Sequence, residues 1–221
     1  MNWQAGFDGL LALAALWVAL GPARQRPALR LACLLLVSAA VLGTLRFSGL
    51  LPLPQLHQFV SMLGAGVGLP LIAFAVIRPD GLVATQPRYT WVVAVVLAVL
   101  CVLVGVVAGV KLWAQVWAVG AALSIAGVAL RHRDLPALGA AVCMVLAFAA
   151  FVAQLRAGPL QPGDFLHIGM ALAMLLLGRW ALVRSQRPIP ALQQAQGETA
   201  PNQGPAELQP PAEDDKRPPG A

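Results

Sequence analysis

"GDFLHIGMALAMLLLGRW", residues 163–180, decides how this chain is read. Asp164 and His167 stand three apart at one end, Arg179 stands near the other, and only apolar or small side chains lie between. A bilayer's hydrocarbon core is about 30 Å thick, and about 20 apolar residues cross it as a helix. The stretch therefore has the length of one membrane crossing with polar ends. The question it raises is whether Asp164 and His167 form part of a site or only the lip of a helix.

Composition gives the same answer for the whole chain. Of 221 residues, 59% are hydrophobic and 11% are charged. A soluble domain carries roughly a quarter charged residues, so this stock cannot cover a water-exposed surface. The mean hydropathy of +0.75 agrees. Seven stretches are long and apolar enough to cross a bilayer, at about 5–21, 28–45, 56–77, 90–109, 112–130, 135–155 and 164–183. Pro, Gly and charged residues break the runs, as in "RFSGLLPLPQ" (46–55) and "RPDGLVATQPR" (78–88). The fourth and fifth spans are divided only by "VVAGVKLW" (106–113), where Gly109 and Lys111 must make a tight hairpin. The sequence predicts an all-α polytopic membrane protein: a seven-helix domain over 1–183 and a Pro/Gln-rich tail over 184–221. The tail has no apolar period with which to offset its chain entropy, and so reads as disordered, available to a cytoplasmic partner.

Cys33, Cys101 and Cys143 each lie inside an apolar run without paired spacing, and read as small packing residues. The first span has no Lys or Arg before it, whereas Arg24, Arg26 and Arg30 follow it. That is the charge order of an uncleaved helix rather than of a signal peptide. The positive-inside rule extends the argument. One side of the spans carries Arg24, Arg26, Arg30, Arg78, Arg88, Arg131, Arg133, Arg179, Arg184, Arg187, Lys216 and Arg217; the other carries Arg46, Lys111 and Arg156. The N-terminus is expected outside and the C-terminus in the cytoplasm. The net charge of +6 is thereby assigned to the inner face of a membrane and not to a nucleic-acid partner. Trp3 and Trp113 fall at the outer interface, and Trp17, Trp91 and Trp180 at the inner one. The preference for Arg over Lys and the compact loops fit a bacterial inner membrane. Gly64/Gly68 and Gly105/Gly109 are four-residue pairs that allow close helix approach, and Pro70 is expected to kink the third span and free a carbonyl.

In this orientation the polar side chains collect at one level. Asp8, Arg46, His57, Gln58, Ser61, Lys111, Gln115, Gln154, Arg156, Asp164 and His167 all lie in the outer third. Charges in lipid are costly unless they face an interior or a wet cavity, so an outward-facing polar pocket is expected. Asp164 and His167 share a helix face, as do His57 and Ser61. Were the third and seventh spans neighbours, His57, Asp164 and His167 could supply three zinc ligands and leave one position open, a set suited to hydrolysing a lipid amide or ester. In the simpler reading, Asp164 is a first-turn acid favoured by the helix dipole, with His167 its partner and His57 an interfacial residue. His132, in "RHRD" (131–134), belongs to the opposite side.

With its last helix opening "DFLHIGMALAMLLLGR", the chain resembles a group of uncharacterised bacterial seven-helix membrane proteins, distantly similar to the superfamily of alkaline ceramidases and adiponectin receptors. The resemblance implies seven helices with the N-terminus outside and, in the wider superfamily, a zinc hydrolase acting on lipid amides. That superfamily places a Ser and a His on the second helix, an Asp on the third and a His-x-x-x-His on the seventh. Here His167 matches one His of the last motif, but Ala171 and Gly163 stand at the flanking positions. The second span offers Ser38 and Thr44 without a His, and the third has no Asp. The function expected first is thus a non-catalytic membrane module with an outward-facing pocket, acting as scaffold or sensor and needing no cofactor. A zinc-dependent lipid hydrolase is the alternative. A small-solute transporter is the second alternative; Pro54-Gln55 matches a PQ-loop dipeptide without a second copy.

Overall fold

The computed structural model describes residues 3–110 and 112–185. Seven helices are long and apolar enough to cross a membrane: α1 (Trp3–Leu20), α2 (Pro27–Phe47), α3 (Pro54–Ile77), α4 (Pro87–Val107), α5 (Trp113–His132), α6 (Leu135–Val152) and α7 (Pro162–Ser185). A single helical turn, Leu82–Thr85, sits in the loop between α3 and α4. The described residues contain no strand, only an isolated bridge between Ala157 and Leu160. The segment from 186 onward, expected to be a tail, lies outside the described residues, as does Lys111.

Prolines begin several of these helices because a first-turn residue needs no amide hydrogen; Pro27, Pro54 and Pro87 lie in such turns. The loop between α5 and α6 is shorter still. Arg133 adopts a left-handed conformation (φ 52°), and the Asp134 side chain caps α6 by accepting from the Ala137 amide at 3.4 Å. Gly109 also lies in the left-handed region (φ 69°) with open space around it. It therefore forms the α4–α5 turn rather than packing against a neighbour. Gly64 and Gly68 do pack: a Cβ on Gly64 would lie 3.5 Å from Leu36 Cδ2, and one on Gly68 would lie 3.5 Å from the Ala32 carbonyl oxygen. Both contacts join α3 to α2.

The packing partners run α1–α2–α3–α5–α6–α7 and back to α1, while α4 lies against α3 outside that ring. Hydrophobicity alone does not hold helices together in lipid, so close approach of small residues has to. The buried core is accordingly rich in alanine, for example Ala15, Ala32, Ala122, Ala140 and Ala173. Large apolar side chains such as Leu13, Val92, Val95 and Leu146 point outward, as suits a surface bathed in lipid. Trp180 is fully buried and donates its indole N–H to Asp134 Oδ2 at 2.9 Å.

Pro70 acts on α3 through a widened turn. Residues Gly64–Gly68 are π-helical, and the Leu69 amide donates to the Gly64 carbonyl five residues back. Such turns absorb one extra residue and recur at functional sites. This one lies directly beyond His57 and Ser61.

Candidate functional site

Among the described residues the fully buried polar side chains are Asp8, Thr90 and Asp164. Thr90 is satisfied locally, donating to the Val83 carbonyl at 2.7 Å. Asp164 is partly satisfied by its own helix end: its Oδ2 accepts from the Gln161 amide at 2.7 Å. A third-residue acid reaching back to the residue before the helix is half of a capping box. That is the first-turn role anticipated from the helix dipole, and Asp164 does not line the cavity described next.

Asp8 sits differently. It is fully buried on α1, and its Oδ1 lies 2.9 Å from Nδ1 of His167 on α7. The distance is that of an ion pair, but the angles are not those of a hydrogen bond. Both carboxylate oxygens are therefore left without a hydrogen-bond donor among the described residues. Asp8 Oδ2 and the His57 ring both press on Gly43 of α2, where an added Cβ would collide with the carboxylate and lie 2.9 Å from His57 Cε1. A glycine at 43 is thus what lets α1 and α3 bring a carboxylate and an imidazole to the same point of α2. His57 is half-buried and places Nδ1 3.2 Å from the Ala39 carbonyl oxygen, and its ring meets Phe47 edge-on with centroids 5.9 Å apart.

Asp8, His57, Ser61 and His167 share the wall of one cavity of about 100 Å³, closed by Leu11, Leu36, Phe148 and Met170 among others. Asp8 is the one formally charged residue on that wall. Each imidazole has Nδ1 opposite an acceptor, which leaves Nε2 as its available nitrogen. Histidines that bind metals are commonly oriented in this way, by a carbonyl or a carboxylate on the other ring nitrogen. Among the described residues no three His, Cys, Asp or Glu side chains come close enough together to close around a metal ion by themselves.

Of the residues expected in an outward-facing pocket, Asp8 and Ser61 line the cavity. Arg46 stacks on Phe47, with Cζ 5.2 Å from the ring centroid. Gln58, Gln115 and Arg156 are exposed away from the cavity, and Lys111 is not described. Of the expected trio His57, Asp164 and His167, the two histidines share the cavity, and the carboxylate beside them is that of Asp8. No family model matches the chain, and no curated protein or solved structure does either.

Proposed function

We propose that the chain is a non-catalytic membrane module whose pocket at the α1 N-terminal end binds a small cation reversibly. In this reading it sits in a bacterial inner membrane with its N-terminus outside and its tail toward a cytoplasmic partner. The observation that carries it is the contact between the buried Asp8 carboxylate and His167 on the wall of a cavity shared with His57 and Ser61. An acid buried at bilayer depth is costly, and it persists where a partner or a ligand repays the desolvation. Two imidazole Nε2 lone pairs beside a buried carboxylate favour a cation, and zinc is the natural probe for imidazole donors. The cavity's 100 Å³ is well below the roughly 300–1,000 Å³ of sites for drug-sized molecules. It suits an ion and a little water better than an acyl chain. The sidedness rests on the Lys and Arg distribution among the loops.

A zinc-dependent hydrolase is the second reading, favoured by the arrangement of the two imidazoles around their Nδ1 atoms. His57 and His167 would hold the metal, with Asp8 orienting His167. Zinc would supply Lewis-acid activation of water toward a lipid amide or ester. The small cavity and the lack of a third ligand among the described residues place this reading second. A transporter has no observation in its favour, since the charged side chains gather near the helix ends.

Calorimetric titration of the purified full chain with zinc chloride tests the proposal, together with an assay for fatty-acid release from an N-acyl lipid. Saturable binding near one ion per chain, lost in His167→Ala and without fatty-acid release, is the expected result. No saturable binding by the wild type would overturn the cation pocket. Fatty-acid release that disappears in His167→Ala would replace the module with the hydrolase.

A further inference from the structure

The opposite end of the bundle holds a second polar cluster that the cation pocket does not use. Trp180 of α7 is buried with two guanidinium groups over its indole: Arg26 Cζ lies 5.2 Å from the ring centroid and Arg184 Cζ 5.4 Å. Cations over an indole are held by its negative face, but the indole does not neutralise them. The carboxylate beside Arg184 is already committed. Asp134 caps α6 through Oδ1, accepts the Trp180 N–H through Oδ2, and meets Arg184 Nη2 only at 3.5 Å. Arg26 has no carboxylate within ion-pair distance among the described residues. Burial and then the charge of Arg184 lower the Arg26 pKa, against an opposing pull from Asp80. The two guanidiniums are therefore close enough to repel each other.

Arg184 also lines a cavity of about 240 Å³, together with His132, Asp134, Pro79 and Ile77. Its Nε is sealed from solvent and has no hydrogen-bond partner among the described residues. The Arg184 side chain is nevertheless 26% exposed, so a ligand in the cavity would meet its terminal Nη atoms, and the acceptor that fits that planar group best is a carboxylate or a phosphate. Arg78, Arg131 and Arg133 adjoin its lining residues in sequence.

We propose that this cavity binds a phosphate group, with Arg184 as the principal ligand, His132 as a second donor and Arg26 adding charge across Trp180. The chemistry is the same for the headgroup of an acidic phospholipid and for free inorganic phosphate. It does not depend on which face of the membrane this end occupies.

Native mass spectrometry of the full chain in detergent tests the site, with phosphatidylglycerol, phosphatidylcholine or inorganic phosphate added separately. Losing a charged, partly buried hydrogen bond weakens binding by about tenfold or more. Retention of phosphatidylglycerol over phosphatidylcholine, weakened by that factor in Arg184→Gln, weakened less in Arg184→Lys and kept in Arg24→Gln, is expected if the source is lipid. Retention of inorganic phosphate alone with the same pattern of variants supports the site and assigns it to a free anion. Equal retention of the two lipids without phosphate binding, or equal losses in Arg184→Gln and Arg24→Gln, would overturn the proposal. Circular-dichroism melting of each variant shows whether a loss comes from unfolding; if Arg184→Gln is unfolded, Arg184→Lys and His132→Ala carry the comparison, and an unweakened His132→Ala would then overturn it.

Discussion

Asp8 and Asp164 are both buried carboxylates near the same end of the bundle, yet they do different work. Asp164 bonds within its own helix end, whereas Asp8 meets a histidine from another helix. Exchanging each for Asn therefore separates them. Asp8→Asn keeps the volume and removes the carboxylate charge beside His167 Nδ1; loss of such a partner lowers metal affinity roughly 10- to 100-fold, readable in a zinc titration. Asp164→Asn is expected to leave that titration unchanged and to lower stability by roughly 0.5–2 kcal/mol, the usual worth of a cap, readable in thermal unfolding. A larger binding loss in Asp164→Asn than in Asp8→Asn would contradict this division. The sequence makes His57, Ser61 and His167 legible as candidates because polar residues are scarce in apolar spans. It does not say which carboxylate joins them. Spacing along one helix favours Asp164 as a partner of His167, while the link to Asp8 depends on α1 lying beside α7, a long-range fact that no local pattern encodes.

At the level of helices, boundaries were legible and contacts were not. Hydropathy and prolines locate the spans within a few residues of the observed α1–α7, because the cost of leaving lipid falls sharply at each helix end. The π turn at Gly64–Gly68 was visible only as a proline that must disturb its helix. Close approach depends on neighbours as well. Gly169 of α7 meets α6 so tightly that an added Cβ would lie 2.6 Å from Ala147 Cβ and 3.1 Å from the Cys143 carbonyl oxygen. Gly169→Ala is expected to destabilise the bundle by roughly 1–3 kcal/mol, the range for overpacking. Gly120→Ala, which meets open space on α5, should leave the melting temperature unchanged or slightly raised. Equal melting temperatures for the two variants would mean that α6 and α7 are less closely packed than described.

For the whole molecule, the ring of six helices with α4 outside puts a carboxylate–imidazole pocket at one end and an arginine–tryptophan cluster at the other. Apolar packing fills the space between. The basic loops orient the proposed assembly, so green fluorescent protein fused after Ala221 is expected to fluoresce and alkaline phosphatase fused there to be inactive. The reverse result would turn the pocket toward the cytoplasm. The pocket's two imidazoles can be followed directly, since the chain has only three histidines. Long-range proton–nitrogen NMR of histidine-labelled protein reports the tautomer of each ring and its response to zinc. His57 and His167 are expected to carry their proton on Nδ1, and zinc to shift their Nε2 signals while leaving His132 in place. Nε2-protonated rings at 57 and 167, or three histidines that respond alike, would contradict the cation pocket.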